Sequence, residues 1–90
     1  MDFGGALTAL RLGKKVSRSG WNGQGMFVVL QRGYPDGIRI NENTALAISE
    51  AVGTVCRFRP YLMLKTAQGD YCPWSVSNSD ALAEDWSVIP

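Results

Sequence analysis

Trp21 and Trp74 stand among residues suited to holding a flat, polar small molecule. Trp21 lies in Gly20-Trp21-Asn22-Gly23-Gln24-Gly25, where three glycines in six residues allow positive φ and the close approach of another group. Trp74 follows Pro73, which cannot donate a ladder hydrogen bond and so ends a strand. Behind it comes Ser75-Val76-Ser77-Asn78-Ser79-Asp80, a dense run of short polar side chains. Indole faces stack on bases, and hydroxyl, amide and carboxylate groups bind ribose hydroxyls or base edges. Each feature also has a purely structural reading. The large apolar area of tryptophan favours burial, and Ser77, Asn78 or Ser79 would cap a short helix.

Bond-breaking chemistry has little to work with. The chain has no histidine, which removes the commonest general base, metal ligand and partner of a serine or cysteine nucleophile. Cys56 and Cys72 could form at most one bridge, and without a helper base both are expected to be inert, buried thiols. No cluster has metal-ligand spacing, no Gly-Lys-Ser/Thr ending marks a phosphate loop, and no cofactor is implied. Catalysis by carboxylates alone, through Asp80, Glu84 or Asp85, is the enzymatic alternative.

The net charge of +1 is too small for the electrostatic grip of duplex nucleic-acid binding. Apolar runs fall short of the ~20 residues of a spanning helix, and no secretory signal pattern opens the chain, so a cytoplasmic protein without a membrane partner is expected.

The elements that must position these residues follow from periodicity. Arg59 to Trp74 reads as a β-hairpin turning at Ala67-Gln68-Gly69-Asp70. Asp2 caps a helix over Phe3 to Leu12, ended by Gly13. Val16 to Ser19 and Met26 to Gln31 form strands joined through an Asn22-Gly23 turn. Arg32 to Gly37 reads as a loop with turn chemistry, and Ile38 to Glu42 as a brief extended segment. Asn43 or Thr44 caps a helix through Val52 with an apolar stripe at Ala45, Leu46, Ile48, Ala51 and Val52. Thr54 to Arg59 can extend the hairpin's first arm, placing Arg57 and Arg59 on one strand face as a wet edge or an anion contact. A short helix over Asp80 to Glu84 and a last strand with a core Trp86 close the chain. The expected fold is one α+β domain over residues 1–90: a small antiparallel sheet, an N-terminal helix and one or two short helices. At ninety residues the core is marginal, and assembly into a homo-oligomer is the expected support.

The order of these motifs is similar to a known family. Phe3 to Val16, Gly20-Trp21-Asn22-Gly23, Arg59-Pro60-Tyr61, Lys65 to Gly69, Pro73-Trp74-Ser75 and Asp80 to Trp86 together resemble the second type of Thoeris anti-defence protein, a small phage-encoded domain. Gln31 to Thr54 is the segment that matches poorly. The resemblance implies a homotetrameric sponge in the cytoplasm of the infected bacterial host. Such a sponge captures cyclic ADP-ribose isomers made by TIR-domain immune enzymes without cleaving them, and some relatives are implied to hold cyclic dinucleotides in a second pocket. It places base stacking on Trp21 and Trp74 and polar contacts on Asn22, Gly23, Ser75, Ser77, Asn78 and Asp80. The diphosphate of such a ligand would meet backbone N–H groups of Gly23 to Gly25 with Arg18, Arg57 or Arg59. A hydrolase of the same nucleotide, and a phage module with the tryptophans as packing anchors, are the competing readings.

Overall fold

A computed structural model describes residues 1–90. The first helix, α1 (Phe3–Arg11), starts where Asp2 Oδ1 accepts from the Gly5 N–H at 2.9 Å, and the chain leaves it through Gly13 at φ +84°. Its buried side, Ala6, Ala9 and Leu10, lies on a five-stranded antiparallel sheet. The strands are β1 (Lys15–Arg18), β2 (Phe27–Gln31), β5 (Tyr61–Lys65), β6 (Tyr71–Pro73) and β7 (Trp86–Ile89), in the spatial order β6-β5-β2-β1-β7. Cross-strand partners share a face, so the rows Val16↔Val28 and Val28↔Leu64 turn one side of the sheet toward α1. Val16, Val28 and Trp86 complete the core there.

The β5–β6 hairpin forms as expected, with Met63↔Pro73, Leu64↔Cys72 and Lys65↔Tyr71 in register. Its turn closes through the Thr66 N–H on the Asp70 carbonyl at 2.8 Å, with Gly69 at φ +96°. The last helix, α3 (Asn78–Leu82), takes Ser77 as its cap, whose hydroxyl accepts from the Asp80 N–H at 3.1 Å.

Between β2 and β5 the chain makes an arm. It consists of β3 (Tyr34–Arg39), α2 (Glu42–Ile48) and β4 (Val55–Phe58), with β3 and β4 paired as a separate two-stranded sheet. Four expectations change here. Tyr34 to Gly37 is strand rather than loop, because pairing with β4 overrides the turn chemistry; the surplus residues between Tyr34↔Phe58 and Ile38↔Cys56 are taken up in an irregular register with Gly37 at φ +98°. Val55 to Phe58 does not join the first arm of the hairpin, since Arg59-Pro60 interrupts the ladder. The α2 cap is Asn41, which accepts from the Thr44 N–H at 3.0 Å, and the helix stops at Ile48 because Ser49 turns left-handed at φ +60°. The expected apolar stripe is mostly in solvent: Ala45 is buried, while Leu46, Ile48 and Val52 are exposed.

At the neck of the arm Gly33 passes so close to the returning chain that a Cβ there would overlap the Phe58 carbonyl oxygen and stand 2.7 Å from Pro60 N. Two smaller corrections lie in the body. Residues 19–26 form a long connection rather than a tight Asn22-Gly23 hairpin turn, and Cys72 is exposed rather than buried.

Candidate functional site

The ends of β1, β6 and β7 and the start of α3 bring three tryptophans together. Trp86, fully buried, forms the floor, and its ring lies 5.3 Å from that of Trp21 and 6.1 Å from that of Trp74. Phe3 of α1 packs on both Trp86 and Trp74, at 5.4 Å and 6.5 Å. Trp21 and Trp74 are half-buried, 6.3 Å apart with their planes at 71°. That is an edge-to-face contact, favoured by the ring quadrupoles. Within one chain the two rings therefore abut and leave no parallel slot between them.

Asp80 is the hub of the polar side. Its Oδ1 accepts from the Trp21 indole Nε1–H at 3.0 Å and from Arg18 Nη1 at 2.7 Å, and its carbonyl oxygen accepts from Trp86 Nε1 at 2.9 Å. Arg18 also donates from Nε to Asp85 Oδ1 at 2.7 Å, so one guanidinium bridges two carboxylates. The other oxygen of Asp85 accepts from the Gly20 N–H at 2.7 Å and from the Ser19 hydroxyl at 3.3 Å. These bonds decide the ionisation of the group. Burial pushes the Asp80 carboxyl up, but donors from Trp21, Arg18 and Ser77 together outweigh it and hold it below the usual carboxylate range. The Arg18 hydrogen bond holds the Asp85 carboxyl below that range as well, against its partial burial. Hydrogen bonds to Asp85 and Asp80 raise the Arg18 guanidinium.

Of the residues singled out from sequence, Trp21, Trp74, Ser77 and Asp80 meet in this cluster. Ser77 acts there as the cap of α3 and as a donor-ordering partner of Asp80. Asn22, Ser75 and Asn78 are exposed on the adjoining segments. Gly23 is packed inward, where a Cβ would come within 2.5 Å of Met26 Sδ and 2.7 Å of the hairpin-tip residue Ala67. Arg18, considered for a diphosphate, is instead committed to Asp80 and Asp85. Asp80 and Asp85, two of the three carboxylates considered as a catalytic base, are poorly suited to it, since a carboxyl held below its usual range is a weak base. The part that Phe3, Arg18 and Asp85 play in ordering the tryptophans was not foreseen. Opposite charges at the end of β1 and the start of β7 are the only sequence signal for it, and they carry meaning only once β1 and β7 are known to pair.

A concavity lies at the neck of the arm, away from the tryptophans. Arg32, Arg57 and Arg59 line it together with Leu30, Gly33 and Phe58, around a volume of about 1010 Å³. None of the tryptophans lines it. A smaller one of about 230 Å³ on the β3 side shares Arg32, Phe58 and Arg59 and adds Arg39 and Tyr34.

The family of the chain is shown by its whole length rather than by this cluster alone. Residues 1–89 match the family model Tad2-like, described as the Thoeris anti-defense 2-like domain, and the chain belongs to this family. Among its relatives is Thoeris anti-defense 2 of Bacillus phage SP01, 36% identical over 89 residues, an alignment that takes in 99% of this chain and 94% of that protein. The matched range runs across Gln31 to Thr54, the segment that resembled the family least. Membership supports a phage role directed against Thoeris immunity.

Proposed function

We propose that the protein is a sponge: it binds cyclic ADP-ribose isomers, of the glycocyclic kind made by TIR-domain enzymes, in the infected cell's cytoplasm and withholds them without cleavage. The observation that carries this reading is the convergence of Trp21 and Trp74, both half-exposed, with Asp80, in a chain of the Thoeris anti-defense 2 family. A purine stacks on the rings at roughly 1–3 kcal/mol per base. Asn22, Gly23, Ser75, Ser77, Asn78 and Asp80 supply the polar contacts, Asp80 as an acceptor suited to ribose hydroxyls rather than to the diphosphate. Nanomolar capture corresponds to about −12 kcal/mol, which stacking and several hydrogen bonds reach only in a preorganised site. The network through Arg18 supports such preorganisation.

The test is to load the protein with the product of a TIR-domain enzyme, remove free ligand, denature by heat and weigh what is released. Intact cyclic isomer supports the sponge; a linear product supports a hydrolase, and no released nucleotide supports a packing role for the tryptophans.

The arginine-lined hollow favours a second reading beside the first, in which the protein also holds a cyclic dinucleotide. Two phosphodiesters need fixed positive charge and two bases need aromatic or apolar surface, and Arg32, Arg57 and Arg59 with Phe58 and Leu30 offer both. Titration with cyclic di-GMP and with the ADP-ribose isomer separates the sites: Arg57→Ala with Arg59→Ala abolishes the first and Trp21→Ala the second. The proposed assembly is a homotetramer, with the apolar outer side of the arm covered by another copy.

A further inference from the structure

We propose that Arg18 and Asp85 are positioning residues that fix the Trp21 ring in the orientation used for capture, an inference that rests on the reading of Trp21 as a ligand-stacking ring. Trp21 is held at two points. Its backbone closes a turn, donating to the Arg18 carbonyl at 3.3 Å, and Asp85 braces that turn through the Gly20 N–H and the Ser19 hydroxyl. Its ring is held by Asp80 through Nε1. Arg18 is the only group that touches both anchors, at 2.7 Å in each case. The planar fork of a guanidinium presents two N–H groups at a fixed angle, which an ammonium on a flexible stem does not reproduce. The turn is fitted closely around the pair: a Cβ on Gly20 would lie 2.8 Å from Asp85 Oδ2 and 3.1 Å from Arg18 Nη2.

The network is not part of the apolar core. Leu10, Val16, Val28 and Trp86 are essentially fully buried, whereas the side chains of Arg18, Asp80 and Asp85 keep 19%, 14% and 31% of their surface. Loosening it therefore frees the ring before it undoes the fold. Without the fork the two carboxylates are no longer bridged and Trp21 must be ordered by the ligand, which costs affinity of roughly tenfold for one immobilised side chain and its turn.

The experiment uses the full chain labelled with nitrogen-15, as wild type, Arg18→Lys and Asp85→Asn. Three indole N–H signals report the three tryptophans, with Trp21 assigned through Trp21→Phe. Affinity is measured calorimetrically with a cyclic ADP-ribose isomer prepared with a TIR-domain enzyme. Both variants should shift the Trp21 indole signal and weaken binding about tenfold, while leaving the melting temperature close to wild type. Wild-type affinity with an unmoved Trp21 signal overturns the inference. So does a large fall of the melting temperature in both variants, which marks a merely structural role. If Arg18→Lys fails to fold, Asp85→Asn decides by the same readings. A wild-type protein that binds no isomer overturns the capture reading itself, a failure recognised because the variants then have no affinity to lose.

Discussion

In the body, Ala6, Ala9, Leu10, Val16, Val28 and Trp86 form one buried cluster between α1 and the sheet. In the arm only Ile40 and Ala45 are buried, and Leu46, Ile48, Val52, Val55 and Phe58 lie exposed. The body has a helix over one face of five strands. The arm has a two-stranded ribbon and a seven-residue helix, and no α2 packing against the body strands compares with the contact α1 makes there. Two-stranded ribbons are marginal on their own in water. The contrast separates two ways for a small chain to become ordered: the body closes on its own core, whereas the arm is held by its ribbon pairing and its neck.

That contrast can be broken most severely at Trp86. Trp86→Ala removes the floor of the cluster and should destabilise the body by about 3–5 kcal/mol, against less than about 0.5 kcal/mol for Leu46→Ala on the arm, both read from urea unfolding of a subunit at fixed concentration. Equal effects of the two would erase the distinction. Next in size, Val55→Glu should dissociate the proposed homotetramer, seen by light scattering as a fall in mass, with near-native far-ultraviolet dichroism. A full-mass variant would show that the arm's apolar side is not the contact.

Two helix caps make a finer comparison. Ser77→Ala should cost about 1 kcal/mol of global stability because α3 belongs to the body. Asn41→Ala, with a similar local cost of about 1 kcal/mol, should leave the global transition in place and speed amide exchange in the arm alone. The smallest effect is on acidification. Asp80 and Asp85 have lowered carboxyl values in the folded chain, so their contribution is present above the usual carboxylate range and is lost as the pH falls through the lowered values. The Trp21 indole signal should thus hold steady from neutral pH down through that range and move only below it.

What the sequence makes legible follows the same division. The caps at Asp2 and Ser77, the stop at Gly13, the β5–β6 turn and the burial of Trp86 are local or strongly apolar signals, and all appear in the structure. Periodicity misread the arm because its pattern reports what is apolar, not what is covered; Leu46 and Val52 complete a helical stripe that this chain leaves in solvent. Tyr34 to Gly37 carries every mark of a turn and becomes strand through Phe58, a partner 24 residues on from Tyr34, which no window contains. At the site, the residue types suggested a ligand surface at Trp21 and at Trp74 separately and only the family resemblance joined the two, while the edge-to-face setting of the rings and the Arg18 bridge depend on β1 meeting β7, a contact between the two ends of the chain.

Gly33 gives the neck a mechanical character. With no room for even a methyl group against Phe58 and Pro60, the two segments cross in backbone contact, and any side chain at position 33 would push them apart. The attachment of the arm to the body is thus keyed to a single missing side chain.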